Sequence, residues 1–409
     1  MEKRVREERK EESGMDRREF MRLIAIYGTT ATLGGILAAP LYATAQERQE
    51  SVAAQAAKEK EKAAKAKYKA VVAIEGTNNR WKEYPVYKAT MCNMGIWELK
   101  QAIERDSKGE IYFDIMEGGV IGTQIAAAKK VQQGVAQGCS CSSQNAASLM
   151  PVCNVLDFPY VIGPEKNFWK VVYSKEVNDT LRAKCIGQGL IPLTFFPQLR
   201  ALEMRQGLDD IRHPDNLKGL KIRVTGSRLE QEAFKILPSK PTPIAASEIL
   251  LAMKEKAIDG LHVGLASTAD YGLLEAAAQV VDVNFMYNSD VTWIGTKWYQ
   301  SLPTNLQEMI MEAAYNVQLF IHDRYESLYK DQIGFRPDAP SNTIYKKSGV
   351  KLIFLSAQER RKWEEYLSFD RNAARFNPLV AEFGKHEFEI VQRVSQAAGE
   401  AEKKRWWKA

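Results

Sequence analysis

Twice along this chain, short segments with a two-residue apolar alternation are separated by segments with helical apolar spacing, and few folds accommodate that order. In the first run, residues 87–91 are strand-like, and Ile96, Leu99 and Ile103 then mark one face of a helix. Ile111, Phe113 and Ile115 alternate as a strand, Ile125, Ala128, Val131 and Val135 return to helical spacing, and a short strand follows at 136–142. The second run begins after Arg200. It has a strand at 221–224, a helix from Arg228, an extended segment at 241–244, a helix over 247–256 and a strand at 261–263. Each β-α-β-α-β run predicts a mainly parallel sheet covered by helices, so we expect an α/β chain with two lobes.

Residues 216–227 read N-L-K-G-L-K-I-R-V-T-G-S and carry the clearest chemistry. Leu220, Ile222 and Val224 alternate with Lys221 and Arg223 as in a strand with one buried face. Ser227, three residues before Glu230, predicts a capping box that opens a helix. Arg223 is therefore expected near the carboxyl end of a strand, beside free helix N–H groups, where open α/β sheets bind small anions. A guanidinium there can hold a carboxylate through two parallel hydrogen bonds, which a Lys cannot reproduce. On local pattern alone, a surface strand whose Arg faces solvent remains the alternative.

That segment is similar to the D-L-K-G-L-K-x-R-V signature of the DctP-type solute receptors of tripartite ATP-independent periplasmic (TRAP) transporters. Residues 118–122, G-G-V-I-G, resemble the family's early G-G-x-L-G, and V-L-D-F-P-Y-V-I at 155–162 resembles its x-x-D-L-P-F-L-F. W-Y-Q-S-L-P at 298–303 resembles F-W-D-S-L-P, and I-D-G-L-H-V at 258–263 stands where the family has V-D-G-x-E-N. These motifs keep the family order over roughly residues 84–329 and weaken beyond it. The resemblance implies a two-lobed periplasmic binding protein fold of type II, with a chain that crosses between lobes more than once. The helical pattern that opens at Thr304-x-x-Gln307, itself read as a capping box, and runs toward Tyr329 is similar to the long helix that ties the family's lobes. We expect lobe I at 84–197 plus 288–334 and lobe II at 198–287 plus 335–400. The resemblance further implies capture of a small organic acid and its delivery to small and large permease subunits driven by an ion gradient. With no enzyme motif or paired metal-ligand spacing in the chain, we expect no cofactor, no metal and no catalysis.

By the same resemblance, Arg223 matches the principal carboxylate-binding arginine. Arg200 is a looser match to a second arginine near the interlobe crossover, with an ordinary salt-bridged role as the equal alternative. Asn93 falls in a loop that touches ligand in relatives, and Gln124 stands where sialic-acid-binding members carry a glutamate. Three places depart from the family pattern. His262 and Val263 replace a Glu and an Asn, Ala246 replaces an aromatic before Ser247 and Glu248, and Phe285 stands where some members have His. Each exchange removes a polar partner or changes pocket volume, and an unpaired buried ligand group costs about 1–3 kcal/mol. The expected ligand is therefore a monocarboxylate or 2-oxo acid with a more apolar body, rather than sialic acid or a C4-dicarboxylate. Trp293, Phe285 and Phe195 are candidate aromatic walls.

Residues 1–45 predict an export signal. Arg17-Arg18 followed by Phe20 resembles a twin-arginine (Tat) motif, a weakly apolar run spans 23–42, and Ala43-Thr44-Ala45 offers small residues for cleavage. An uncleaved single-span anchor is the alternative. Residues 46–83 are expected to be a charged helical or flexible spacer outside the core. The net charge of +6, over 57 basic and 51 acidic residues, is spread along the chain, which argues against a nucleic-acid partner.

The five Cys and four His show no paired zinc spacing, and no Walker loop or G-x-S-x-G elbow is present. Two competing readings remain: an exported redox enzyme using Cys139 and Cys141, and the receptor of an ATP-driven importer.

Overall fold

The computed structural model describes residues 45–76, 94–163 and 165–408. The signal segment, the strand expected at 87–91 and Asn93 lie outside the described residues. The first strands are β1 (Tyr68–Ala73), β2 (Ile111–Met116), β3 (Gly138–Ser142), β4 (Leu190–Gln198) and β5 (Arg200–Met204). They are followed by β6 (Lys221–Val224), β7 (Lys240–Pro243), β8 (Gly260–Gly264), β9 (Gln279–Asp282), β10 (Asn288–Gly295) and β11 (Lys351–Phe354). They form two sheets, ordered β2-β1-β3-β10-β4 and β11-β9-β5-β8-β6-β7, with helices packed against both.

The two sequence runs each supply a parallel nucleus, β2-β1-β3 in one sheet and β8-β6-β7 in the other. Each sheet also holds one strand antiparallel to both its neighbours: β10 in the first, β5 in the second. These are the crossing strands. β4 passes through Leu199 directly into β5, and β9 returns through 283–287 into β10. The sheets are mixed because a strand that enters from the other lobe arrives without a βαβ crossover to set its direction.

The expected spacer departs most from observation. Helix α1 (Ala45–Lys65) is charged as predicted, yet Glu59 on its inner side meets Lys100 at 3.0 Å and accepts from the Tyr112 hydroxyl at 3.2 Å. β1 then lies between β2 and β3, with Ala70, Val72 and Ala73 buried. Lys-rich flanks conceal a six-residue strand whose only signal is Ala70-Val71-Val72-Ala73-Ile74.

Helices α2 (Met94–Asp106) and α3 (Gln124–Gln133) occupy the predicted places, and Gly122, at φ +123°, turns the chain into the Thr123 cap of α3. α4 (Arg228–Ile236) follows β6. α5 (Thr304–Ser327, 24 residues) runs against α2 and β4, then continues through 328–333 to meet the helix Leu265–Tyr271 of the second lobe. The Thr304 box does not form: Pro303 is the N-cap, and Gln307 Nε2 donates to Leu302 O at 2.8 Å.

The lobe boundary also moves. β11 pairs with β9 at the edge of the second sheet, and Trp363 of α6 (Ala357–Leu367) is buried in the core beside it. α7 (Ala373–Phe383) and α8 (Lys385–Gln396) return to the first, where Phe376, Phe383 and Phe388 surround Phe158. Burying those rings against 151–158 outweighs sequence adjacency to the second lobe.

Candidate functional site

β6 ends at Val224, and Thr225-Gly226-Ser227 turns the chain into α4. Ser227 Oγ accepts from the Glu230 N–H at 3.2 Å, which is half of the predicted box. The other half is diverted. Glu230 Oε2 accepts from the Thr225 N–H at 2.7 Å and its hydroxyl at 2.5 Å instead of reaching the Ser227 N–H. Arg223, between Leu261 of β8 and Thr242 of β7, is 3% exposed. Its guanidinium makes one hydrogen bond among the described residues, from Nε to Ile244 O at 2.9 Å, and no described carboxylate lies within ion-pair distance. Burial pushes this guanidinium down to about 10, so it stays charged at neutral pH. A buried cation without a carboxylate is costly, and an arriving anion removes that cost.

Arg200 has the opposite environment. It is 1% exposed, and Nη2 binds Glu230 Oε1 at 2.6 Å and His262 O at 2.6 Å, while Nη1 binds Gln144 Oε1 at 2.8 Å. His262 Nδ1 lies 2.9 Å from Glu230 Oε1 and 3.1 Å from Arg200 Nε, so the neutral ring either donates to the carboxylate or accepts from the guanidinium. Burial alone would raise the Glu230 carboxyl, but the Arg200 charge and the His262 and Thr225 hydrogen bonds hold it at about 2. Burial, then the Arg200 charge, push the His262 ring down to about 4. Arg200 is thus occupied by protein groups and braces the strand-to-helix turn that carries Arg223.

Between the two lobes lies a residue that the sequence reading missed. Glu75, two residues beyond β1 and 8% exposed, accepts from the Gln124 N–H at 2.9 Å through Oε2 and from the Ser247 N–H at 3.2 Å through Oε1. It therefore joins the first lobe to the second, and its charge acts on Arg223. Its signal was Ile74-Glu75-Gly76 directly after the concealed strand. Gln124 is engaged as well: its Oε1 accepts from the Ser142 N–H at 2.8 Å and Asn145 Nδ2 at 3.0 Å. Further cross-lobe bonds join Ser227 Oγ to Asn154 Oδ1 at 2.9 Å and the Gly226 N–H to Asn145 Oδ1 at 3.4 Å.

Of the other predicted residues, Ala246 precedes Ser247 and is half-buried, and it packs with Val263, Ile249 and Leu261 in a small apolar cluster. Phe285 does not join Arg223. It is 1% exposed and stacks on His262 with ring centroids 4.7 Å apart. It also lines a cavity of about 220 Å³ with Phe158, Tyr160 and Arg360, which neither Arg223 nor Glu75 touches. Trp293 and Phe195 are core residues of the first lobe, Trp293 Nε1 donating to Cys141 O at 2.8 Å. Phe195 also lines a small cavity with Phe168 and Pro192. Cys139 and Cys141 lie fully buried on one face of β3, and burial pushes both thiols well up, away from the reactive thiolate. Among the described residues no three His, Cys, Asp or Glu side chains gather as a metal site, and no helix is long and apolar enough to cross a membrane.

Residues 86–370 match the family model for bacterial extracellular solute-binding protein, family 7. The 2,3-diketo-L-gulonate-binding periplasmic protein of Escherichia coli is 28% identical over 162 residues, which is 40% of this chain and 49% of that protein. The match thus spans about half the length of that relative. Among solved structures, a sugar-acid-binding protein from Advenella mimigardefordensis in complex with galactonate superposes with a TM-score of 0.69 at 20% identity, over 81% of this chain and 98% of that one. A TRAP periplasmic solute-binding protein from Ralstonia eutropha with bound (S)-2-acetolactate gives a TM-score of 0.68 at 19% identity, over 80% and 98%. These structural likenesses show the fold.

Proposed function

Because the chain belongs to the bacterial extracellular solute-binding proteins of family 7, we propose that it is the receptor of a TRAP transporter, capturing a small organic carboxylate between its lobes. One observation carries the reading: a buried guanidinium, Arg223, at the strand-to-helix turn of the cleft with no described carboxylate partner. Arg223 anchors the carboxylate by its unused Nη edge. Gln124 and Ala246 border the guest, and Val263 supports Ala246 from beneath. Arg200 and Phe285 act at one remove, through Glu230 and His262. Asn93 is kept as a guest-contacting residue by resemblance alone. The lobes close on the guest, and the closed form docks on the two membrane permease subunits, without catalysis by this chain. Residues 1–45 direct export by the twin-arginine route, and the preferred guest is a monocarboxylate or 2-oxo acid.

A thermal-shift screen of mono-, di- and keto-carboxylates tests this. A guest at 100 times its Kd stabilises by about 2.7 kcal/mol, a rise of several degrees. Arg223→Ala should abolish the rise, and Arg223→Lys should bind weakly for want of the second hydrogen bond. An undiminished shift in Arg223→Ala would refute the assignment.

A further inference from the structure

Resting on that reading, we propose that Glu75 is a charge filter, which limits the guest to one negative charge and requires a hydrogen-bond donor, a hydroxyl or an ammonium, facing it. The geometry is specific. Both carboxylate oxygens accept backbone N–H groups, one from each lobe, so the side chain is held in place across the cleft rather than swung toward Arg223. No ion pair between Glu75 and Arg223 forms, although the Glu75 charge acts on that guanidinium. Arg223 is tied to Ile244 O and Glu75 to the Ser247 N–H three residues on, so a guest whose carboxylate lies on Arg223 comes within the field of a second, oriented negative charge. Carboxylate oxygens have lone pairs beyond the two used here, and these can accept from a guest hydroxyl or ammonium. A second carboxylate offers no donor and is repelled, more strongly inside a cleft than in water. The same two N–H bonds tie Gln124 of the first lobe to Ser247 of the second through this carboxylate.

Matched acids test the filter by titration calorimetry: D-galactonate against galactarate, and 4-hydroxybutyrate against succinate. The wild-type protein is expected to favour the mono-acid of at least one pair by about tenfold or more, a 1.4 kcal/mol difference. Glu75→Gln keeps the shape and an N–H acceptor while removing the charge, and it should reduce that ratio by about tenfold. Glu75→Ala should reduce it similarly, with circular dichroism confirming that both variants fold. A ratio unchanged in both variants, a wild-type preference for the diacids, or no binding of any of the four would overturn the filter. Arg223→Ala separates the two claims. If it retains binding, the carboxylate anchor fails. If it loses binding while Glu75→Gln leaves the ratio intact, only the filter fails.

Discussion

Arg200 and Arg223 sit on strands that flank β8, are equally buried, and differ only in what meets their guanidinium groups. That difference predicts opposite mutational outcomes. Arg200→Met leaves Glu230 buried without its cation, and breaking such a pair costs about 3–5 kcal/mol, to be read by urea unfolding. Arg223→Ala removes a buried charge that has no described carboxylate partner, so it should lose guest binding with much less loss of stability. His262 adds a pH signature. Its folded value of about 4 lies below the ordinary imidazole value of 6.5, so on acidification the unfolded chain takes up the proton first. The stability contributed by the neutral ring is complete above about pH 6.5 and is lost as pH falls toward 4. His262→Gln should flatten the unfolding midpoint across that window. Glu203 works the other way: burial raises it to about 8, so its contribution is complete below 4.5 and declines as pH rises toward 8. The motif around Arg223 was legible in the sequence because it is local. The partners of Arg200 were not, since Gln144, Glu230 and His262 come from separate segments.

At the scale of elements, segments with clean periodicity were legible and those hidden by composition were not. β2, β6, β8 and α2 to α4 follow their apolar spacing closely. β1 was absorbed into a charged spacer, and the crossing strands β4, β5 and β10 are buried along their full length, which erases the alternation that marks a strand. Because β1 is interior to its sheet, a chain that begins at residue 77 should fail to fold, whereas one that begins at residue 45 should fold and bind. Circular dichroism and size-exclusion chromatography distinguish the two. Trp406, 2% exposed against Tyr173 and Tyr315, gives the C-terminal segment similar weight. Trp406→Ala is expected to cost about 3–5 kcal/mol in denaturant titration.

For the molecule as a whole, the two lobes approach closely. Gly226 marks the contact: a Cβ there would lie 3.0 Å from Ser148 Oγ and 3.2 Å from the Ile125 Cδ1 methyl, both in the first lobe. Gly226→Val should therefore wedge the cleft, enlarge the radius of gyration seen by small-angle scattering with guest present, and weaken binding while the lobes stay folded. A variant that closes normally would show that the approach is not limiting. The sequence by itself determined the α/β class, the two lobes and the arginine at the strand end, because these depend on local periodicity and short motifs. Only the tertiary structure decided which arginine lacks a described carboxylate partner, that Glu75 bridges the lobes through Gln124 and Ser247, and that the C-terminal helices pack around Phe158. Those outcomes depend on which distant side chains satisfy each buried charge and ring, and spacing along the chain does not encode that.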